Sequence, residues 1–112
     1  MGVLQAMSNG ITALCHQIYL DNWNKGFWEN NNIPTKLALI HGEVSEALEA
    51  LRLDTPAADK HLPQYSNFAV ELADIVIRVF DLAGQQGIPL GKVIDDKLEV
   101  NRARPNKHGK RF

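Results

Sequence analysis

Between Phe68 and Leu82 the chain reads as a helix with almost no side to show to water. Phe68, Val70, Leu72, Ile75, Val76, Ile77, Val79, Phe80 and Leu82 stand in this stretch. Wound at about 100° per residue, they cover nearly the whole circumference. The charged residues here, Glu71, Asp74, Arg78 and Asp81, all project onto one stripe less than about 90° wide. A helix apolar nearly all round has to be buried nearly all round, so its polar stripe must face something polar inside the fold. Three partner helices from one small chain do not suffice to cover such a surface. The pattern therefore predicts that a second subunit closes part of it.

Apolar periodicity elsewhere supplies those partners. It predicts an all-α chain, a four-helix bundle-like protomer oligomerising through its helices. Leu4, Met7, Ile11, Leu14 and Ile18 recur at steps of three and four, which predicts one buried stripe on a first helix. A turn-rich segment from Asp21 to Asn32 follows and holds both tryptophans. Ile33 opens a second helix running to about Leu53, with Pro34 or Thr35 in the first turn, where a missing amide donor costs nothing. The segment 54–66, with Pro56 and Pro63, reads as a long loop. The third helix covers about Asn67 to Gln86, with Ser66 or Asn67 as its N-cap and Gly87 as its stop. Pro89 starts a fourth that ends near Ala103, before Pro105. Residues 1–112 thus read as one domain, with 104–112 a basic tail.

Composition removes several function classes. Twelve Lys and Arg against thirteen Asp and Glu leave a net charge of −1, so whole-molecule electrostatics does not recruit nucleic acid. No stretch approaches the roughly 18 apolar residues of a membrane span, and Met1 to Cys15 lacks the basic start of a secretory leader. The single cysteine, Cys15, builds neither an intrachain disulfide nor a thiolate zinc site. A cytoplasmic protein without membrane or nucleic-acid partners is the expectation.

The acids of the second helix are oddly placed. Leu37, Ile40, Val44, Leu48 and Leu51 share one stripe, and Ser45, Glu49 and Arg52 lie opposite. Glu43 and Glu46 fall instead on the flank with Leu39, Ala47 and Ala50, three residues apart and therefore neighbours. Glu71 and Asp74 repeat that spacing on the third helix. If the two pairs face each other, four carboxylates share a partly desolvated space. Two like charges about 4 Å apart repel by about 4 kcal/mol at an effective dielectric of 20. Either some carboxylates stay protonated or a cation occupies the space. Oxygen-only ligation suits Mg²⁺ or Mn²⁺ rather than zinc, and neither pair has the Glu-x-x-His of a di-iron bundle. The plainer alternative is two solvated acid pairs, with Arg78 bonding Asp74 one turn away. Against it stands the coincidence of two such pairs, each off the solvated side of its helix.

Cations gather at the other end. Six of the twelve Lys and Arg lie between Lys97 and Arg111, with Glu99 the one acid among them. Lys97 and Asn101 are one helical turn apart, and Arg104 follows on the same side. Acids that hold a metal and cations that hold an anion are two halves of one task, since Mg²⁺ is usually held by a few carboxylates plus substrate phosphates. In the aromatic segment, Phe27 and Trp23 read as plugs of the bundle end, and Trp28 is left open between a plug and a stacking platform.

These residues resemble the MazG-like branch of the all-α nucleoside triphosphate pyrophosphohydrolases. The resemblance rests on Glu43-x-x-Glu46, then 24 residues, then Glu71-x-x-Asp74, within Lys36–Arg52 and Glu71–Arg78. It continues in Lys97-x-x-x-Asn101-x-x-Arg104-Pro105 and on to Lys110, and covers about Trp28 to Lys110. It implies a helical protomer that forms a homodimer or a dimer of dimers. It also implies Mg²⁺-dependent (Mn²⁺ serving too) cleavage of the α–β phosphoanhydride of a nucleoside triphosphate, giving the monophosphate and pyrophosphate, in nucleotide pool cleaning. By motif position Glu43, Glu46, Glu71 and Asp74 would be the metal ligands and catalytic acids, with Glu46 orienting or deprotonating the attacking water. Lys97, Asn101 and Arg104 would bind substrate, and Trp28 stands where some members place a base-contacting aromatic. A tryptophan that some members carry after the second helix has no counterpart, Leu53 standing near that place. Phosphoribosyl-ATP or one pyrimidine deoxynucleotide is the alternative substrate, and a non-catalytic nucleotide-binding helical dimer is the alternative outside enzymology.

Overall fold

A computed structural model describes residues 2–30, 32–53 and 57–112, with only the backbone of Leu4. Pro56 of the long loop and the Leu4 side chain of the first stripe lie outside the described residues. Among the described residues four α-helices follow one another: α1 Val3–Asn24, α2 Ile33–Arg52, α3 Asn67–Gln85 and α4 Leu90–Ala103. A short 3₁₀ turn, Asn106–Gly109, closes the chain. No strand is present among the described residues, only an isolated bridge between Ala58 and Ser66. None of these helices is long and apolar enough to cross a membrane.

Local chemistry sets the helix ends. The Asn32 side chain accepts from the Thr35 amide to cap α2, whose second residue is Pro34. Ser66 does the same for α3 through the Ala69 amide. That helix stops at Gly87, whose φ is +66°. α1 runs further than its sequence suggests, because Asp21 to Asn24 continue the turn before Gly26 breaks it.

Spatially the helices run in the order α2, α3, α1, α4. α3 packs on both α1 and α2, α4 packs on α1, and no comparable contact joins α2 to α4. The α1 interfaces depend on small residues. A Cβ on Gly84 would overlap the Cys15 carbonyl, and one on Gly91 would overlap the Ser8 carbonyl. The Gly91 amide donates to Thr12 Oγ1 at 3.1 Å, and the Ser8 hydroxyl bonds the Asp95 carboxylate.

This close approach corrects the expected inner face of α1. Ser8, Thr12, Cys15 and Tyr19 point inward and Ile11 and Ile18 of the expected stripe are half-buried beside them, whereas Met7 and Leu14 are 59% and 50% exposed. The small side chains at Ser8 and Cys15 let the helix backbones come this near. α2 behaves alike. Ile33, Lys36, Ile40, Glu43, Ala47 and Ala50 form its inner face, while Leu37, Val44, Leu48 and Leu51 are exposed. On α3 the charged stripe faces inward, as its sequence requires, and Leu72, Val76 and Ile77 stay open.

The chain is accordingly loose. Its accessible surface is 8551 Å², against roughly 6,200 Å² for a compact monomer of 12.5 kDa. The radius of gyration is 16.6 Å, where about 13 Å is usual for this length.

The aromatic segment also reverses an expectation. Trp28, not Phe27 or Trp23, is the plug: it is 4% exposed, while those two are 60% and 57% exposed. Its indole finds a hydrogen-bond partner inside, which the phenyl ring of Phe27 cannot do.

Candidate metal centre

The inner face of α2 and the polar stripe of α3 meet antiparallel. Glu43 on α2 lies beside Arg78 and Asp74 of α3. Further along the chain, Glu46, Glu49, Ala50 and Leu53 lie beside Glu71 and Asn67. One carboxylate oxygen each from Glu43, Glu46 and Glu71 lies within 4.8 Å of the others. Glu43 and Glu71 are half-buried and Glu46 is exposed.

Asp74 stands outside that trio. One turn further along α3, it borders with Glu43 a cavity of about 360 Å³ that Lys36, Phe27, Arg78 and Asp81 also line. A second cavity, of about 260 Å³, lies on the other side of the cluster against Glu46, Glu49 and Glu71. The expected quartet is thus three glutamates with an aspartate alongside.

The electrostatics follow this layout. Burial pushes the Glu71 carboxyl above its ordinary value, and the charges of Glu46, Asp74 and Glu43 push it further. Burial likewise raises Asp74, aided by Glu43 and opposed by the Arg78 guanidinium. Like charges brought together out of water favour the protonated form.

A divalent cation fits these residues. Glu71 Oε2 is buried without a hydrogen-bond partner, a costly state for a carboxylate oxygen unless a proton or cation meets it. Three carboxylates within reach of one point are an oxygen donor set of the kind hard cations take.

Arg78 does not pair with Asp74 as the plain alternative had it. Its Nε donates across the helix interface to Glu43 Oε1 at 2.6 Å. Trp28 sits behind this pair. Its Nε1–H donates to Asp81 Oδ1 at 2.9 Å, Tyr19 meets it edge-on at 5.7 Å, and the Lys36 ammonium lies 4.4 Å from its ring centre.

The cations of α4 are elsewhere. Lys97 and Arg104 are exposed and Asn101 is half-buried, its Oδ1 without a hydrogen-bond partner. None of the three lines either cavity beside the acids. Among the described residues the cations lining the cavity beside Glu43 are Lys36 and Arg78, and Lys36 was missed in the sequence. Its signal is its spacing: seven residues before Glu43, hence on the same helix face.

Compared with known protein families, curated proteins and solved structures, the chain matches none.

Proposed function

We propose that this chain is a Mg²⁺-dependent nucleoside triphosphate pyrophosphohydrolase of the MazG-like kind, working as a homodimer or a dimer of dimers. The observation that carries the reading is the meeting of Glu43, Glu46 and Glu71 within 4.8 Å, with one Glu71 oxygen buried and unpartnered. Three of the four acids of the motif to which the chain's resemblance points thus lie within reach of one another, with Asp74 beside Glu43.

On this reading Glu43, Glu46 and Glu71 hold the cation, with Asp74 at its edge. Bound there, Mg²⁺ supplies Lewis-acid polarisation of phosphoryl oxygens and acidifies water. Glu46, the exposed member of the three, has room to orient the attacking water and take its proton. Lys36 and Arg78, on the cavity wall beside Glu43, offset negative charge that builds on the departing pyrophosphate. Lys97, Asn101 and Arg104 line neither cavity beside the acids of their own chain, so on this reading they contact substrate held by a second copy. Surface also supports association. The protomer exposes about 2,400 Å² more than a compact monomer of its mass, and large obligate interfaces cover areas of that order.

The test is pyrophosphate release from a panel of ribo- and deoxynucleoside triphosphates and phosphoribosyl-ATP, with and without Mg²⁺. Release that requires Mg²⁺ and disappears in Glu46→Gln and Asp74→Asn, both still folded, supports the reading. Mg²⁺-dependent thermal stabilisation by nucleotide without pyrophosphate release replaces it with a binding module. Turnover of one nucleotide alone sets the substrate.

A further inference from the structure

The contact between Arg78 and Glu43 places a cation where the proposed metal needs a ligand. Arg78 meets Glu43 at one point, Nε to Oε1, not through the two-point fork that makes Arg–carboxylate pairs durable. The two ends are unequally held: the Arg78 side chain is 41% exposed and that of Glu43 is 13% exposed. Glu43 is thus the enclosed partner, between the helices, and Arg78 the one open to solvent. The space beside it is the cavity of about 360 Å³, with Lys36 on the opposite helix wall. Glu43 is also the residue common to this cavity and to the three-glutamate cluster.

Charge decides which cation keeps Glu43. At equal distance a divalent ion attracts a carboxylate twice as strongly as a guanidinium does. It also gathers Glu46 and Glu71, which Arg78 does not touch. Once Glu43 turns to such an ion, Arg78 is left on the cavity wall with Asp74 and Asp81 as its acidic neighbours, and an anion entering there meets Arg78 together with Lys36, whose ammonium also donates to the Phe27 carbonyl.

We infer that Arg78 is an exchangeable counter-ion: it neutralises Glu43 in the metal-free protein, yields that carboxylate to the divalent cation, and then binds the phosphate chain of the substrate in the cavity it shares with Lys36. The inference rests on the proposed metal site and adds a substrate contact to it. It also gives an order of events, with the phosphate-binding group released only after the metal has arrived.

The competing physical role is that of an orienting group, in which Arg78 stays on Oε1 and steadies Glu43 while Oε2 ligates. The two roles give opposite signs. Removing an orienting partner typically weakens metal affinity by about 10–100-fold, whereas removing a competitor tightens it.

The experiment is calorimetric titration of Mn²⁺ into the wild-type chain, Arg78→Gln, Glu43→Gln and Arg102→Gln. Inorganic pyrophosphate is then titrated at saturating Mn²⁺. Arg78→Gln is expected to bind Mn²⁺ about two- to tenfold more tightly, a partly exposed ion pair being worth little more. It is expected to bind pyrophosphate about tenfold less tightly, having lost a charge-assisted contact. Arg102, exposed on α4, serves as the control for general charge and changes neither affinity. Weaker or unchanged Mn²⁺ binding in Arg78→Gln overturns the exchange while the metal site stands. Tighter Mn²⁺ with unchanged pyrophosphate overturns the substrate contact. No Mn²⁺ binding by the wild type, or binding untouched by Glu43→Gln, removes the metal reading and this inference with it.

Discussion

Trp28 and Asp81 tie the segment before α2 to the middle of the fold through one buried bond, indole Nε1–H to carboxylate Oδ1, 2.9 Å long. Asp81 is 8% exposed, so the indole is its route to a satisfied oxygen. Trp28→Phe keeps most of the apolar volume but strands the carboxylate, and Asp81→Ala strands the indole. Each is expected to cost about 1–3 kcal/mol, read as a fall in the urea midpoint. Asp81→Asn retains an accepting oxygen and should cost less than Asp81→Ala.

The backbone contacts of α1 make a second prediction. Gly84→Ala and Gly91→Ala each push a methyl into a carbonyl of α1, and a helix backbone cannot give way as the end of a side chain does. Both substitutions are expected to destabilise by about 1–3 kcal/mol or more. Gly42→Ala is the control: open space surrounds that position, and Ala is the better helix former by about 1 kcal/mol. Thermal melts of the three variants should move in opposite directions, down for the first two and up for the third.

How much of this could be read beforehand differs from residue to residue. The stripe of Glu71, Asp74, Arg78 and Asp81 had one physical outlet, an inward one, because apolar residues filled the rest of the helix. The inward turn of Glu43 was legible as a departure from the solvated side of α2. The choice of faces on α1 and α2 was not. Periodicity reports that Met7 and Leu14, or Leu48 and Leu51, share a stripe; it does not say whether that stripe meets its own chain or another surface. On α1, Cys15 against Gly84 and Ser8 against Gly91 decided the matter, since small residues permit a backbone approach that leucines prevent. The Trp28 plug was hidden for a related reason. Its buried acceptor, Asp81, lies 53 positions away, and no local pattern links them.

Acidity in the glutamate cluster predicts a pH dependence with a definite sign. The folded Glu71 and Asp74 carboxyls are raised above their ordinary values, so the folded state holds protons that the unfolded state has released. Stability of the metal-free protein is therefore greatest below the unfolded values and falls as pH rises through the raised folded ones. Mg²⁺ opposes this loss, since it binds the ionised carboxylates of the native state. Melting temperatures across pH 4–8, with chelator and then with Mg²⁺, should diverge as pH increases. Glu71→Gln removes one ionisation and should flatten the chelator curve. A chelator curve that rises over that range contradicts the arrangement.

The last prediction concerns the open side of α2. Val44, Leu48 and Leu51 lie at successive turns and are 49%, 57% and 59% exposed, a continuous apolar strip of the kind that marks an interaction surface. If the protomer works alone, Leu48→Lys is an ordinary surface change, within about 0.5 kcal/mol of neutral. If a second copy covers the strip, the substitution buries an unpaired ammonium at a helix–helix contact, which is far more costly. Sedimentation velocity of the wild type should then show a species of at least twice the protomer mass, and Leu48→Lys should shift it toward the protomer or lower its melting temperature steeply. Arg52→Lys, at an exposed position near the end of the same helix, keeps the charge and should leave the assembly intact. A wild type that sediments as the protomer, with Leu48→Lys melting at the same temperature, assigns the strip to solvent. It would also require Lys97, Asn101 and Arg104 to act, if at all, away from the glutamates.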